Sequence, residues 1–212
     1  MHAPESYPPQ ADAAALQLDV DGRLRHLLTL QGLDRRLVKS LLDDAERFLS
    51  PAGSATVRSE SLAGRTVANL FFEPSTRTRA SFDLAAKRLG ADVLNLDVNT
   101  SSRKKGESIL DMIYTLQAMR VDIMVIRDAS AGVPAYIARH VNDHVSILNA
   151  GESDVSHPTQ GLLDLLTIRE HKGDFTNLVV TIVGDIAHSR VARSAADGLR
   201  TMGVGELRLV CP

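Results

Sequence analysis

From Gly64 onward the chain alternates short β-rich runs with stretches of helical periodicity, and this alternation restricts the fold more than any other feature. The runs fall at Thr66–Phe72, Asp92–Asp97, Asp122–Ile126 and Val145–Asn149. Each leads into a helical pattern, near Ser75–Leu89, Glu107–Met119, Val133–His140 and Pro158–Glu170. The pattern resumes with Leu178–Val183, a helix near Ser189–Met202, and Glu206–Val210. Strands that alternate with helices cross over right-handedly and build a mostly parallel sheet covered on both faces. The predicted class is α/β, a parallel sheet flanked by helices and followed by the start of a second α/β domain. Ligands in such sheets sit beyond the carboxyl ends of the strands. Function is therefore sought in the residues that follow each strand.

Ahead of this region, Leu33, Leu37, Val38, Leu41, Leu42, Ala45 and Phe48 recur at helical spacing, and Pro51 and Gly53 stop that helix. Residues 1–21 are polar and rich in Pro and Ala, and are expected to be a poorly ordered tail. The expected division is 22–156 for a first domain, with 157–212 giving a linking helix and the first, incomplete part of a second. The turns at Gly151–His157 and Lys172–Asn177 flank the linking helix.

With 24 basic and 26 acidic side chains the net charge is −2, too balanced to gather a polyanion, so nucleic acid is excluded as the expected partner. Any anion must be held by local geometry. The single Cys211 cannot form an internal disulfide and offers no metal set, which predicts a reducing, cytoplasmic setting. The first fifteen residues do not read as a targeting sequence. No stretch approaches the roughly 18 apolar residues of a membrane span.

The first strand runs into Glu73-Pro74-Ser75-Thr76-Arg77-Thr78-Arg79 and then a helix. Free amide groups in a first helical turn attract an anion, and arginine supplies forked donors matched to phosphate oxygens. Three hydroxyls and two guanidinium groups in five residues exceed what a cap needs, although a capped, solvated basic turn remains the plainer alternative. The glycines and the Gly-Lys-Ser/Thr ending of a nucleotide P-loop are absent. Arg127 follows the strand Asp122–Ile126, and His157 and Gln160 open the helix after Val145–Asn149. Alone, an arginine at a strand end is more often structural, and a histidine at a helix start is usually a cap or a surface residue. Arg190 lies just inside a helix after Val183-Gly184-Asp185, where GDIAHSR lacks the spacing of a dinucleotide turn.

The run FFEPSTRTRASF closely resembles the phosphate-binding signature of the aspartate and ornithine carbamoyltransferases, and HPTQGLLDLLTI resembles their second hallmark. The resemblance spans essentially the whole chain after the tail. It implies that Ser75, Thr76, Arg77, Thr78, Arg127, His157 and Gln160 bind carbamoyl phosphate, with Thr78, Arg127 and His157 as the catalytic donors to the carbonyl oxygen. Arg190 would contact a carboxylate of aspartate. The loop from Asn99 to Ser108 resembles the family's mobile loop, so Ser101 and Lys105 would reach into a neighbouring subunit's site, Lys105 also meeting aspartate. That implies a homotrimer with shared sites, and the lysine favours aspartate over ornithine as acceptor.

The implied reaction moves the carbamoyl group onto the amine of L-aspartate, giving N-carbamoyl-L-aspartate and phosphate in de novo pyrimidine biosynthesis. It requires no metal and no organic cofactor, because the substrate carries its own leaving group. The alternatives are another amino acid acceptor such as ornithine, or a truncated chain that binds carbamoyl phosphate without turnover. Full-length relatives are expected to continue past Pro212, leaving the strand that ends at Val210 with an exposed edge. A regulatory or dihydroorotase partner is not legible in these residues.

Overall fold

The computed structural model describes residues 11–96 and 108–212. A first sheet carries four parallel strands in the order β2-β1-β3-β4, formed by β1 (Thr66–Phe71), β2 (Asp92–Leu96), β3 (Ile123–Asp128) and β4 (Ser146–Glu152). The crossovers are α3 (Thr76–Arg88), α4 (Ile109–Ala118) and α5 (Val133–Ala138). Beyond α6 (Pro158–Lys172), the strands β5 (Val179–Val183) and β6 (Glu206–Val210) pair in parallel around α7 (Arg190–Met202). The α/β class expected from the alternation is the class found.

Local chemistry accounts for the boundaries. Helix α2 (Arg35–Glu46) starts where the Asp34 carboxylate accepts from the Leu37 N–H at 2.7 Å. Helix α4 starts in a capping box between Ser108 and Asp111. Pro158 opens α6, and Gly203, at φ +74°, closes α7.

Burial on both faces explains the apolar runs of the central strands. One face, under α4 and α5, buries Leu70, Met124, Ile126 and Ile147. The other buries Val67, Phe71 and Val125 under Ala86 of α3. A third cluster joins Leu165 of α6, Leu199 and Met202 of α7 and Phe175 to Leu27, Leu30, Val38 and Leu42 from the early chain. This cluster couples α2 to both helices of the second region, although α2 precedes the first sheet.

The expectation of a disordered tail as far as Asp21 is corrected from Ala11 on. Residues Ala11–Ala15 form a short helix, α1, and Ala13 is buried in the first core. Gln17 is fully buried, and its Oε1 accepts from the N–H groups of both Leu28 and Thr29 at 2.9 Å. That fixes the segment around Leu27, which bridges β4 at Leu148 and covers its edge. A polar composition concealed one buried amide on which this edge depends. Arg127 is also re-placed: it lies within β3, one residue before the strand ends, rather than after it.

Candidate active site

Helix α3 begins at the carboxyl end of β1, so the signature run wraps from the strand top into a helix start. Ser75 takes the N-cap position in extended conformation (φ −158°, ψ 102°), but its hydroxyl makes no capping bond. Ser75 instead lines a cavity of about 580 Å³. Arg77, Thr78, Arg127, His157, Gln160 and Arg190 line the same cavity. Thr76 does not. Ser101 and Lys105 fall outside the described residues.

Four separate strand ends, those of β1, β3, β4 and β5, deliver these groups. Arg127 is 7% exposed on β3, its Nη1 donating to the Ala150 carbonyl at 3.2 Å and its Nη2 to Glu73 Oε1 at 2.9 Å. Its Nε is buried without an acceptor among the described residues. Arg190, the first residue of α7, donates from Nη1 to Glu73 Oε2 at 3.2 Å and to the Ser153 carbonyl at 2.8 Å. Glu73 therefore ties the two arginines together. Burial pushes its carboxyl up, but hydrogen bonds from Arg190 and Arg127 outweigh that and hold it below the usual carboxylate range. The carboxylate that Arg190 meets here is a residue of the protein itself.

His157 caps α6, and its backbone N–H donates at 2.8 Å to the hydroxyl of Ser194, which is buried on α7 one turn after Arg190. Burial, then the positive fields of Arg190 and Arg127, lower its pKa to about 4. The imidazole is neutral at physiological pH. Thr159 Oγ1 lies 3.4 Å from Nδ1; with that hydroxyl donating, Nε2 carries the proton and is a hydrogen-bond donor. The Gln160 amide turns along the helix to donate to Asp164 at 2.9 Å while still bordering the cavity.

The sequence reading missed the residues that support these groups. Glu73 stood in the quoted run without a role. Gly151, at φ +117°, lies where a Cβ would meet Arg127 Nη1 at 2.9 Å and both Arg190 Nε and His157 Cδ2 at 3.3 Å. A glycine two residues after a β-rich run was the available signal. Ser194 carried none, since a serine in a helix gives no hint of what it will face.

A helix start, three guanidinium groups and a neutral imidazole, gathered at parallel strand ends, give an α/β protein whose cavity is the chemical complement of a small anion. Residues 25–170 match the model of the aspartate/ornithine carbamoyltransferase carbamoyl-P binding domain. The chain belongs to the aspartate/ornithine carbamoyltransferase family. Among solved structures it is similar to the catalytic subunit of M. jannaschii aspartate transcarbamoylase, with 33% identity and a TM-score of 0.76, over 89% of this chain and 61% of that one. It is also similar to the Trypanosoma cruzi aspartate transcarbamoylase in complex with N-(phosphonacetyl)-L-aspartic acid, with 33% identity and a TM-score of 0.75, over 87% and 56%. The same enzyme in complex with carbamoyl phosphate and aspartate matches at 32% identity and a TM-score of 0.73, over 82% and 54%. The chain thus spans a little over half the length of the structures it matches.

Proposed function

We propose that this chain carries the carbamoyl phosphate half of an aspartate carbamoyltransferase site. The observation that carries the reading is the convergence of Ser75, Arg77 and Thr78 with Arg127, His157 and Arg190 on one cavity. In the proposed reaction the aspartate amine attacks the carbamoyl carbon, the N–C bond forms, and the C–O bond to phosphate breaks. The amine gives up a proton, and the departing phosphate is basic enough to take it. Negative charge collects first on the carbonyl oxygen, where Thr78, Arg127 and the neutral His157 would donate. Fixed donors in a site with little water favour that charge without having to reorganise. Ser75 and Arg77 would hold the phosphate with the amide groups of the first turn of α3, to which Thr76, outside the cavity lining, would contribute its backbone N–H.

The acceptor amino acid would lie toward an adjoining cavity of about 710 Å³, which shares Arg190 and is also lined by Glu73, Ser153 and Asp185. Aspartate is favoured as acceptor by Lys105 in the sequence and by the identity of the structural relatives. Ser101 and Lys105 would serve a neighbouring subunit, giving a homotrimer with shared sites and a place in pyrimidine biosynthesis in the cytoplasm. No helix among the described residues is long and apolar enough to cross a membrane.

Calorimetric titration with carbamoyl phosphate, followed by a product assay with aspartate and with ornithine, tests the reading. Saturable binding and carbamoyl-aspartate formation are expected; absence of binding overturns it. Mixing Arg77→Ala with Lys105→Ala subunits should restore some activity, because one interface then holds both intact halves. No recovery in demonstrably mixed oligomers rules out shared sites.

A further inference from the structure

The end of β4 holds both site arginines by its backbone. The Ala150 carbonyl accepts from Arg127 and the Ser153 carbonyl from Arg190, at 3.2 and 2.8 Å. Gly151 lies between them, and Ser153 sits at φ +44°, a left-handed conformation that costs a serine energy and persists only where its surroundings fix it. The fixing groups lie beneath, away from the cavity. Asn149 Oδ1 accepts from the Gly151 N–H at 2.9 Å, while its Nδ2 donates to the Leu28 carbonyl and to Glu152 Oε2 at 2.9 and 3.0 Å. Glu152 Oε1 accepts from the Gly132 N–H at 3.2 Å, and the Glu152 N–H donates to the Ser156 carbonyl at 3.0 Å. Asn149 is fully buried and Glu152 is 5% exposed.

We infer that Glu152 is a positioning residue, its buried carboxyl clamping Asn149 and Gly132 so that the carbonyls of Ala150 and Ser153 aim Arg127 and Arg190 at the anion. This rests on the proposed function, in which those arginines meet substrate. A buried carboxyl is costly unless its shape and acceptors are used, and here both oxygens are. The groups acting on it come from each neighbouring element: the Gly132 N–H at the start of α5, the Asn149 amide on β4, and Asp128 on β3, its partner in register and 2% exposed. Burial, with Asp128 adding repulsion, raises the Glu152 pKa to about 7. Losing its proton sets a second negative charge against Asp128 directly under the turn, so the aim of the arginines becomes dependent on pH.

The test compares wild type with Glu152→Gln, Glu152→Asp and Glu152→Ala. Carbamoyl phosphate affinity is measured by calorimetry across neutral pH, and the His157 ring resonances are followed by NMR without ligand. Wild type should lose affinity as pH rises through about 7, beyond the ligand's own titration, which is common to all four proteins. The His157 signals should shift over the same range, since that ring borders the space beside Gly151, where an added Cβ would lie 3.3 Å from its Cδ2. Glu152→Gln should abolish both inflections, Glu152→Asp should retain them, and Glu152→Ala should bind about tenfold weaker. Should Glu152→Ala fail to melt cooperatively, the two near-isosteric variants decide. Wild-type affinity and an unchanged His157 inflection in Glu152→Gln overturn the inference. Failure of wild type to bind carbamoyl phosphate overturns the functional reading instead, and the ligand-free His157 titration still judges Glu152.

Discussion

A Cβ on Gly151 would stand 2.9 Å from Nη1 of Arg127, closer than any real side chain tolerates. The guanidinium is itself pinned by Glu73 and by the Ala150 carbonyl, so it has little room to retreat. Gly151→Ala should therefore cost about 1–3 kcal/mol of stability from its φ of +117° alone. It should also weaken carbamoyl phosphate binding, because the added methyl pushes directly on the Arg127 guanidinium. Urea denaturation paired with calorimetry checks this; a stable variant with normal affinity contradicts it.

Glu73 sets the resting arrangement of Arg127 and Arg190. Hydrogen bonds to charged groups contribute about 1.5–3 kcal/mol each, so Glu73→Ala should destabilise the fold and leave both arginines poorly aimed. Glu73→Gln, which keeps one acceptor, should lie between. The expected signature is a larger loss for binding the acceptor than for binding phosphate, because Arg190 loses more of its support than the start of α3 does. Equal losses for the two ligands count against it.

Stability should depend on pH in two opposing ways. Burial, aided by Arg25, lowers the His26 pKa to about 4, and its Nδ1 accepts from the Ile147 N–H; His157 is lowered to the same value. Between about 4 and 6.5 the unfolded chain binds more protons at both, so stability is full above 6.5 and falls as pH drops. Glu152 is raised to about 7, so its contribution is full below its ordinary value of 4.5 and is lost as pH rises through 7. The melting temperature should peak near pH 6.5. His26→Gln, which keeps an acceptor, should flatten the acid side, and an unchanged acid limb would refute the assignment.

Two helical glycines should respond differently to alanine. At Gly198 a Cβ meets only side-chain atoms, Leu165 Cδ1 at 2.8 Å, Leu30 Cδ1 at 3.0 Å and Leu165 Cγ at 3.4 Å, which must shift slightly within the buried cluster. At Gly161 it meets Leu30 at 2.7 Å and also the backbone of Ser194 at 3.1 Å. Alanine gains about 1 kcal/mol of helix propensity at either site, so Gly198→Ala should be near neutral. Gly161→Ala should lose about 1–3 kcal/mol by overpacking and disturb His157 through Ser194. Denaturant midpoints compare them directly.

The sequence by itself determined the class of fold and the order of its elements from β1 onward, because strand and helix periods are local and Gly64 and Pro158 mark limits among them. It also determined the chemical kinds at the site, since Ser75 to Thr78 are adjacent and hydroxyls beside guanidinium groups announce an anion. Only the tertiary structure decided that Arg127, His157 and Arg190, far apart in the chain, border one cavity. It alone revealed that Gln17 fastens the early chain to β4, that Glu73 ties Arg127 to Arg190, and that Asn149 and Glu152 are hydrogen-bonded beneath the turn at Gly151. These residues act through hydrogen bonds and close contacts across the fold. Such contacts leave no period in the sequence; they exist only once parallel strands have brought their carboxyl ends together.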